Sequence, residues 1–173
     1  MDKKFALAVE TAVGGFLRNI IVENTDVVNE LITKKCVAYR TNYLPLDNIK
    51  SNICPKEVIE LAKEAGEKRG SKVWHALEII NTNNNLKFSK VLEMGFSNFF
   101  ICENLETANA IAFDPKIRKI AVTLDGDKSD PEGFIGGGVN PYAFKTEFMK
   151  WLAYKECKGD LERLTNDKRI LQR

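Results

Sequence analysis

Residues 122–138 read Val-Thr-Leu-Asp-Gly-Asp-Lys-Ser-Asp-Pro-Glu-Gly-Phe-Ile-Gly-Gly-Gly. The apolar run at 120–124 predicts a buried strand, and the Asp-Gly-Asp within the stretch predicts the turn that ends it. The stretch closes on three consecutive glycines, Gly136, Gly137 and Gly138. Because glycine packs no side chain and loses the most backbone entropy on ordering, such a run indicates a place where another group approaches the backbone closely.

Four interpretations of this stretch compete. A phosphate-binding P-loop ends in Gly-Lys-Ser/Thr, whereas Val-Asn-Pro follows the glycines here. A calcium loop of the EF-hand type begins with alternating acidic or polar residues, as from Asp125, but needs Gly and Glu where this sequence has Asp130 and Gly136. The other two interpretations are a protein contact through the bare backbone of an edge strand and a flexible loop before a helix.

Composition excludes several classes of protein. The 173 residues are 44% hydrophobic and carry a net charge of +2, which indicates an ordinary globular chain rather than a disordered one. No apolar run approaches the roughly 20 residues of a membrane-spanning helix, and the first residues do not resemble a signal peptide. Because the net charge is small, nucleic-acid binding would depend on local clusters of basic residues.

Residues that could carry chemistry are few. The four cysteines show no Cys-x-x-Cys spacing, and most lie in or beside apolar runs, which favours buried free thiols in a reducing compartment. His75 is the only histidine, so we expect no metal site and no Cys-His nucleophile. The sequence contains neither a dinucleotide-binding fingerprint nor a serine nucleophile elbow.

Helical and strand patterns alternate along the first 140 residues. Apolar spacing predicts helices that begin near residues 5, 26, 55, 86 and 105. We expect Gly14-Gly15 to end the first helix and Thr25 to cap the second. We expect Pro55 to occupy the first position of the third helix and Gly95 to end the fourth. Predicted strands cover 18–22, 36–39, 43–46, 73–80, 98–102 and 119–124. This alternation predicts a mixed α/β (α+β) fold with two small α/β halves.

The C-terminal residues predict one further helix. Phe144, Phe148, Trp151 and Leu152 form an apolar stripe, which Leu161, Leu164 and Leu171 continue at about a heptad spacing past a weak point at Gly159. Two interpretations stay open: the start of a coiled coil that needs a partner helix, and a helix packed on its own domain through Phe148 and Trp151.

Five pieces of the sequence, in order, resemble the hinge domain of SMC proteins, the long coiled-coil ATPases of condensin and cohesin. They are the helix and glycines at 8–15, Leu44-Pro45-Leu46-Asp47-Asn48-Ile49, residues 100–105, Ala112-Phe113-Asp114, and residues 123–127 with 130–133 and Gly137-Gly138. Within the family, Ala112-Phe113-Asp114 and the Asp127…Asp130-Pro131 spacing look most like the type-two SMC subunit of condensin. Two features depart from the family pattern: the sequence lacks the strand that usually precedes the first helix, and Gly136 replaces a Ser or Thr.

The resemblance implies a fold, a partner and a site. It implies a hinge domain at 1–140, with subdomains at about 1–54 and 71–140, and the start of a coiled-coil arm at 141–173. Two such chains would meet head-to-tail as a small torus, with another SMC hinge as partner, either a second copy or the other condensin subunit. It implies no enzyme activity, because the ATPase heads lie elsewhere in SMC proteins, and no cofactor or metal. It implies a nuclear, chromosomal location, with the cytoplasm outside mitosis as the alternative. The implied dimer interface comprises Gly133, Phe134, Ile135, Gly136, Gly137 and Gly138.

The family's weak, sequence-independent DNA binding near the arm implies a basic surface. The candidate residues are Lys145, Lys150, Lys116, Arg118 and Lys119. The alternative from another class is a small α/β ligand-binding or regulatory enzyme domain that uses the loop at 136–138 for an anion.

Overall fold

The computed structural model of the chain describes residues 2–80, 86–139 and 146–171, with side chains to residue 168 in the last segment. The helices are α1 (Ala6–Val13), α2 (Thr25–Thr33), α3 (Lys56–Glu67), α4 (Ala76–Ile79), α5 (Ser89–Phe96), α6 (Leu105–Phe113) and α7 (Glu147–Leu171). The strands are β1 (Ile20–Val22), β2 (Tyr43–Pro45), β3 (Val73–His75), β4 (Phe99–Cys102), β5 (Ile120–Thr123), β6 (Lys128–Ser129) and β7 (Ile135–Gly136). Short 3-10 helices lie at Lys3–Phe5, Gly14–Arg18 and Leu86–Phe88. The predicted mixture of helix and strand is confirmed.

The described strands form two separate sheets. β1 and β2 pair in parallel, with α2 as the connection between them. The larger sheet has the order β3-β4-β5-β6-β7, in which only the β4–β5 pair is parallel. β7 therefore lies at one edge of the larger sheet.

The larger sheet is covered on both faces because side chains alternate along its central strand. Phe99 and Ile101 of β4 face one core, which α1 and α5 complete, whereas Phe100 and Cys102 face a second core under α3 and α6. All four residues of β4 are buried, as is typical of a strand covered on both faces. Although α1 precedes β1 in sequence, it packs on this larger sheet through Val9.

Several predicted boundaries are wrong for identifiable reasons. No strand forms at 36–39, where Cys36 is exposed and Lys35 has a φ of 50°. The strand predicted at 73–80 ends at His75, where its pairing with β4 stops, and Ala76 begins α4. Cys54 and Cys102 are buried free thiols as predicted, whereas Cys36 and Cys157 are exposed.

Two predicted caps are shifted by one residue and one glycine has a different role. Asn24, not Thr25, caps α2, because its Oδ1 accepts the Val27 N–H at 3.0 Å. Pro55 precedes the first residue of α3. Gly95 does not end α5; a Cβ there would lie 2.3 Å from Cε1 of Phe16, so glycine is needed for that ring to pack.

The predicted C-terminal helix forms as α7, a single element of 25 residues. Phe148 is half-buried and its ring meets that of Trp151 edge-on at 6.2 Å. Phe148, Trp151 and Leu152 border an apolar cavity of about 500 Å³ together with residues of α5 and β1. Further along, Leu161 and Leu164 are exposed, so the first two turns pack on the chain's own domain and the later turns do not. Phe144 lies outside the described residues.

Candidate functional site at a sheet edge

The residues predicted as an interface lie together at the open edge of the larger sheet. β6 pairs with β7 in antiparallel register, Lys128 opposite Gly136 and Ser129 opposite Ile135. Within the described part of the chain, no strand pairs with the other side of β7. We name residues 133–139 the glycine edge.

The glycine edge exposes apolar side chains. Phe134 is 71% exposed, Ile135 55% and Val139 99%. Exposed apolar side chains beside unpaired strand backbone form a surface on which another chain can add a strand. The exposed edge predicted from the sequence is therefore present, and its two-residue strands β6 and β7 were not predicted as strands.

The turn that leads into the edge is held by its own backbone. Asp130 N–H donates to the Phe134 carbonyl at 2.8 Å, and Gly133 N–H donates to the Asp130 carbonyl at 2.9 Å. Gly133 has a φ of 99°, which favours glycine. The Asp130 carboxylate accepts the Glu132 N–H at 3.1 Å, and this bond holds the pKa of Asp130 below its ordinary value, with Lys128 adding to the effect. The turn is thus built to present Phe134 outward.

The three consecutive glycines differ in what requires them. A Cβ on Gly137 would lie 2.5 Å from Oδ1 of Asp127, and Gly138 has a φ of 124°. Gly136 has neither constraint: no atom of the described residues lies within 4 Å of its Cβ position. The chain's own fold therefore explains Gly137 and Gly138, whereas nothing among the described residues requires a glycine at position 136.

A carboxylate in the loop makes an anion site unfavourable. The Gly138 N–H, which an anion would use, already donates to Asp127 Oδ1 at 3.0 Å. A bound phosphate would have to displace this carboxylate and would be repelled by it. Among the residues that the structure describes, no group of three His, Cys, Asp or Glu side chains could hold a metal ion. His75 is buried, with Nε2 2.7 Å from the Ser97 carbonyl, as a structural residue would be.

The structure places Lys150 on α7 and brings Lys116, Arg118 and Lys119 together in the loop between α6 and β5. Lys150 is exposed on α7 and pairs with Glu147 at 2.8 Å, and this bond lowers the pKa of Glu147. Arg118 donates to the Pro131 carbonyl at 3.0 Å, and Lys119 donates to Oδ1 of Asn98 at 2.7 Å. Lys116 is exposed. Lys145 lies outside the described residues.

Sequence reasoning missed a carboxylate that fixes the start of α7. Oε1 and Oε2 of Glu10 accept the N–H groups of Glu147 and Phe148 at 3.1 and 3.0 Å. The carboxylate thus satisfies two of the free donors at the N-terminus of the helix and lies at its positive end. Because 137 residues separate Glu10 from Glu147, no local pattern indicates the contact.

Comparisons with known proteins agree with this architecture. The model for the SMC proteins' flexible hinge domain matches residues 1–112. Structural maintenance of chromosomes protein 2 of Saccharomyces cerevisiae is 36% identical over 135 residues, 78% of this chain and 11% of that protein. Its counterpart in Gallus gallus is 32% identical over 153 residues, 86% of this chain and 12% of that protein. The chain thus spans about an eighth or less of the length of these relatives.

A solved structure supports the same assignment. The SMC hinge domain of Geobacillus stearothermophilus, crystallised as an asymmetric dimer, aligns with a TM-score of 0.66 at 26% identity, covering 98% of this chain and 70% of that one. Among the described residues, no helix is both long and apolar enough to cross a membrane. The predicted similarity to the type-two SMC subunit is confirmed by the curated relatives. The chain belongs to the family of SMC hinge domains, whose fold is that of a dimerisation domain and not of a catalytic one.

Proposed function

We propose that this chain joins two SMC subunits of a condensin-like complex by pairing its glycine edge with another SMC hinge. The observation that carries the proposal is the open side of β7, flanked by exposed Phe134, Ile135 and Val139. Burying these side chains would remove apolar surface from water, and the β7 backbone would gain hydrogen bonds to a partner strand. The partner is a second copy or the hinge of the other condensin SMC subunit, and the complex acts on chromosomes in the nucleus.

Gly136 provides the sharpest test. Gly136→Leu adds a side chain at a position where the described chain leaves open space and where φ is not positive, so each chain should stay folded. The added side chain should clash with a partner that packs against the glycine edge. We expect the dimer to become a monomer, measured by sedimentation equilibrium, with the free energy of unfolding of the chain changed by less than about 0.5 kcal/mol.

Gly159→Leu is the matched control, because it adds the same side chain at an open glycine on α7, away from the glycine edge. It should leave the dimer intact. A wild-type chain that is monomeric at high concentration and binds no other SMC hinge would refute the proposed function. A Gly136→Leu chain that dimerises like wild type would move the contact to another surface.

We propose in addition a weak, non-specific DNA contact at the start of α7, with Lys145 and Lys150 as the first candidates and Lys116, Arg118 and Lys119 as the second set. Lys150 is exposed, and its partner Glu147 is exposed too, so a phosphate can replace that ion pair at little cost. Exposed Tyr154 lies one turn further on and offers a face on which a base can stack. Trp151 is exposed as well, with the ammonium of Lys155 5.2 Å from its ring centroid.

Changing both Lys145 and Lys150 to Glu should flatten the slope of log affinity against log salt by roughly one to two. The measurement is an anisotropy titration, with Lys34→Glu and Lys56→Glu as a charge-matched control. An unchanged slope would favour the second set of residues. The alternative of an anion-binding enzyme domain predicts saturable nucleotide binding, whereas a hinge should show none.

A further inference from the structure

Asp127 has a backbone that is fixed in the larger sheet. Its N–H donates to Oγ1 of Thr123 at 3.0 Å, and its carbonyl accepts the Thr123 N–H at 2.8 Å. Thr123 is buried and lies in β5. Two hydrogen bonds to a buried residue fix the Asp127 backbone, and with it the direction in which the Asp127 side chain leaves the chain.

The carboxylate of Asp127 reaches across to the end of the glycine edge. Oδ1 accepts the Gly138 N–H at 3.0 Å, over a sequence separation of 11 residues. The same oxygen lies 2.5 Å from the position that a Cβ on Gly137 would take. The absence of a side chain at position 137 is therefore what lets this carboxylate approach the backbone.

This contact is placed where it controls the exposed strand. β7 spans only Ile135–Gly136, and its pairing with β6 covers two residues. The turn at 130–133 holds one end of the segment, and the Asp127–Gly138 bond holds the other. Among the described residues, the bond to Asp127 is the side-chain hydrogen bond that holds the chain just after β7.

We propose that Asp127 is a positioning residue for partner recognition, whose carboxylate holds the glycine edge in the conformation that a second hinge binds. This inference rests on the proposed function. When the edge is ordered in advance, the partner does not have to order it on binding, which raises affinity without adding a contact. Asp127 itself need not touch the partner.

The test is a cycle of variants at positions 127 and 137, with the dissociation constant of the dimer measured by sedimentation. Asp127→Ala should weaken the dimer about tenfold, the effect of losing one hydrogen bond to a charged group. Asp127→Asn, which retains Oδ1 as an acceptor, should restore part of the loss. Asp125→Ala is the control, because Asp125 is an exposed carboxylate two residues away.

The second arm of the cycle separates the carboxylate contact from a clash with the partner. Gly137→Ala should weaken the dimer by pushing the carboxylate aside, but should have no further effect once Asp127 is Ala. If the losses of dimer affinity from the two changes are additive, the proposal is overturned, because Gly137→Ala would then act independently of the Asp127 carboxylate.

A third readout does not depend on dimerisation. In the Gly136→Leu chain, Asp127→Ala should accelerate hydrogen exchange at the Gly138 amide about tenfold, with unchanged circular dichroism. If the wild-type chain dimerises but Asp127→Ala and Asp125→Ala have equal dissociation constants, the recognition role of Asp127 is overturned and the proposed function stands. A wild-type chain that binds no hinge would overturn the proposed function and the recognition role together, even where exchange shows that the contact exists.

Discussion

β4 and β7 belong to the same sheet but differ in their position in it, their length and their burial. β4 lies between two strands, has four buried residues and contributes to both cores. β7 has two residues, both exposed, and pairs with one strand among the described residues. The comparison shows that one sheet can hold the fold together at its centre and leave its last strand incomplete for another chain.

The largest expected effect tests the centre of the sheet. Phe100 is fully buried and packs near His75, with ring centroids 5.4 Å apart. Phe100→Ala should lower the free energy of unfolding by about 3–5 kcal/mol, through lost burial and the cavity left behind. Chemical denaturation of the monomeric Gly136→Leu chain measures it without a contribution from dimerisation. A loss below about 1 kcal/mol would mean that the strand does not carry the core.

The next effect tests the edge with the same change of residue. Phe134→Ala removes the same side chain from a position 71% exposed. It should change the unfolding free energy of the monomer by less than about 0.5 kcal/mol but weaken the dimer by about 2 kcal/mol, as for an aromatic anchor in an interface. Sedimentation and denaturation, performed on the same variant, check both statements. A destabilised monomer with unchanged dimer affinity would reverse the comparison.

A smaller effect concerns the attachment of α7. Glu10→Ala removes the acceptor for the N–H groups of Glu147 and Phe148 and should cost about 1 kcal/mol, as the loss of a cap does. Hydrogen exchange at those two amides should accelerate, while exchange in β4 stays unchanged. Glu156→Ala is a useful control, because its exposed ion pair with Lys3 should contribute little. Unchanged exchange at both amides would contradict the role of Glu10.

The smallest effect is the pH dependence of the turn before β7. The pKa of Asp130 is lowered in the folded chain, chiefly by the hydrogen bond from the Glu132 N–H. The charged carboxylate therefore stabilises the fold at pH values above the pKa that Asp130 has in the unfolded chain. That stabilisation should be constant from pH 5 to 8 and disappear as the pH falls from about 4. The difference in melting temperature between wild type and Asp130→Asn should therefore vanish in acid. A difference that persists at pH 2 would exclude the carboxylate charge as its cause.

The sequence predicted the buried centre better than the exposed edge. Continuous apolar runs predict β4 and β5 within a residue or two, because burial on both faces requires apolar side chains at every position. β6 and β7 have two residues each, too few for any periodicity to show. Their site was nevertheless indicated, because consecutive glycines are unusual enough to demand a reason.

The contacts that hold the site could not be predicted from local patterns. Asp127 meets Gly138 through a turn whose path depends on the sheet, and Glu10 meets α7 only after the chain has folded back on itself. Thr25 was assigned as a cap where Asn24 is the cap, because neighbouring polar residues compete for that role. In each case the side-chain chemistry was visible in the sequence and the partner was not.

The cap on α7 also has a mechanical consequence. A helix of 25 residues is a rod roughly 37 Å long, and its direction is set where Glu10 holds the first turn. As a lever pivoting there, it would carry its far end about 6 Å for a rotation of about 10°. Because the two hydrogen bonds to Glu10 connect α7 to α1, a small movement of α1 would produce a larger displacement at the C-terminal end of α7.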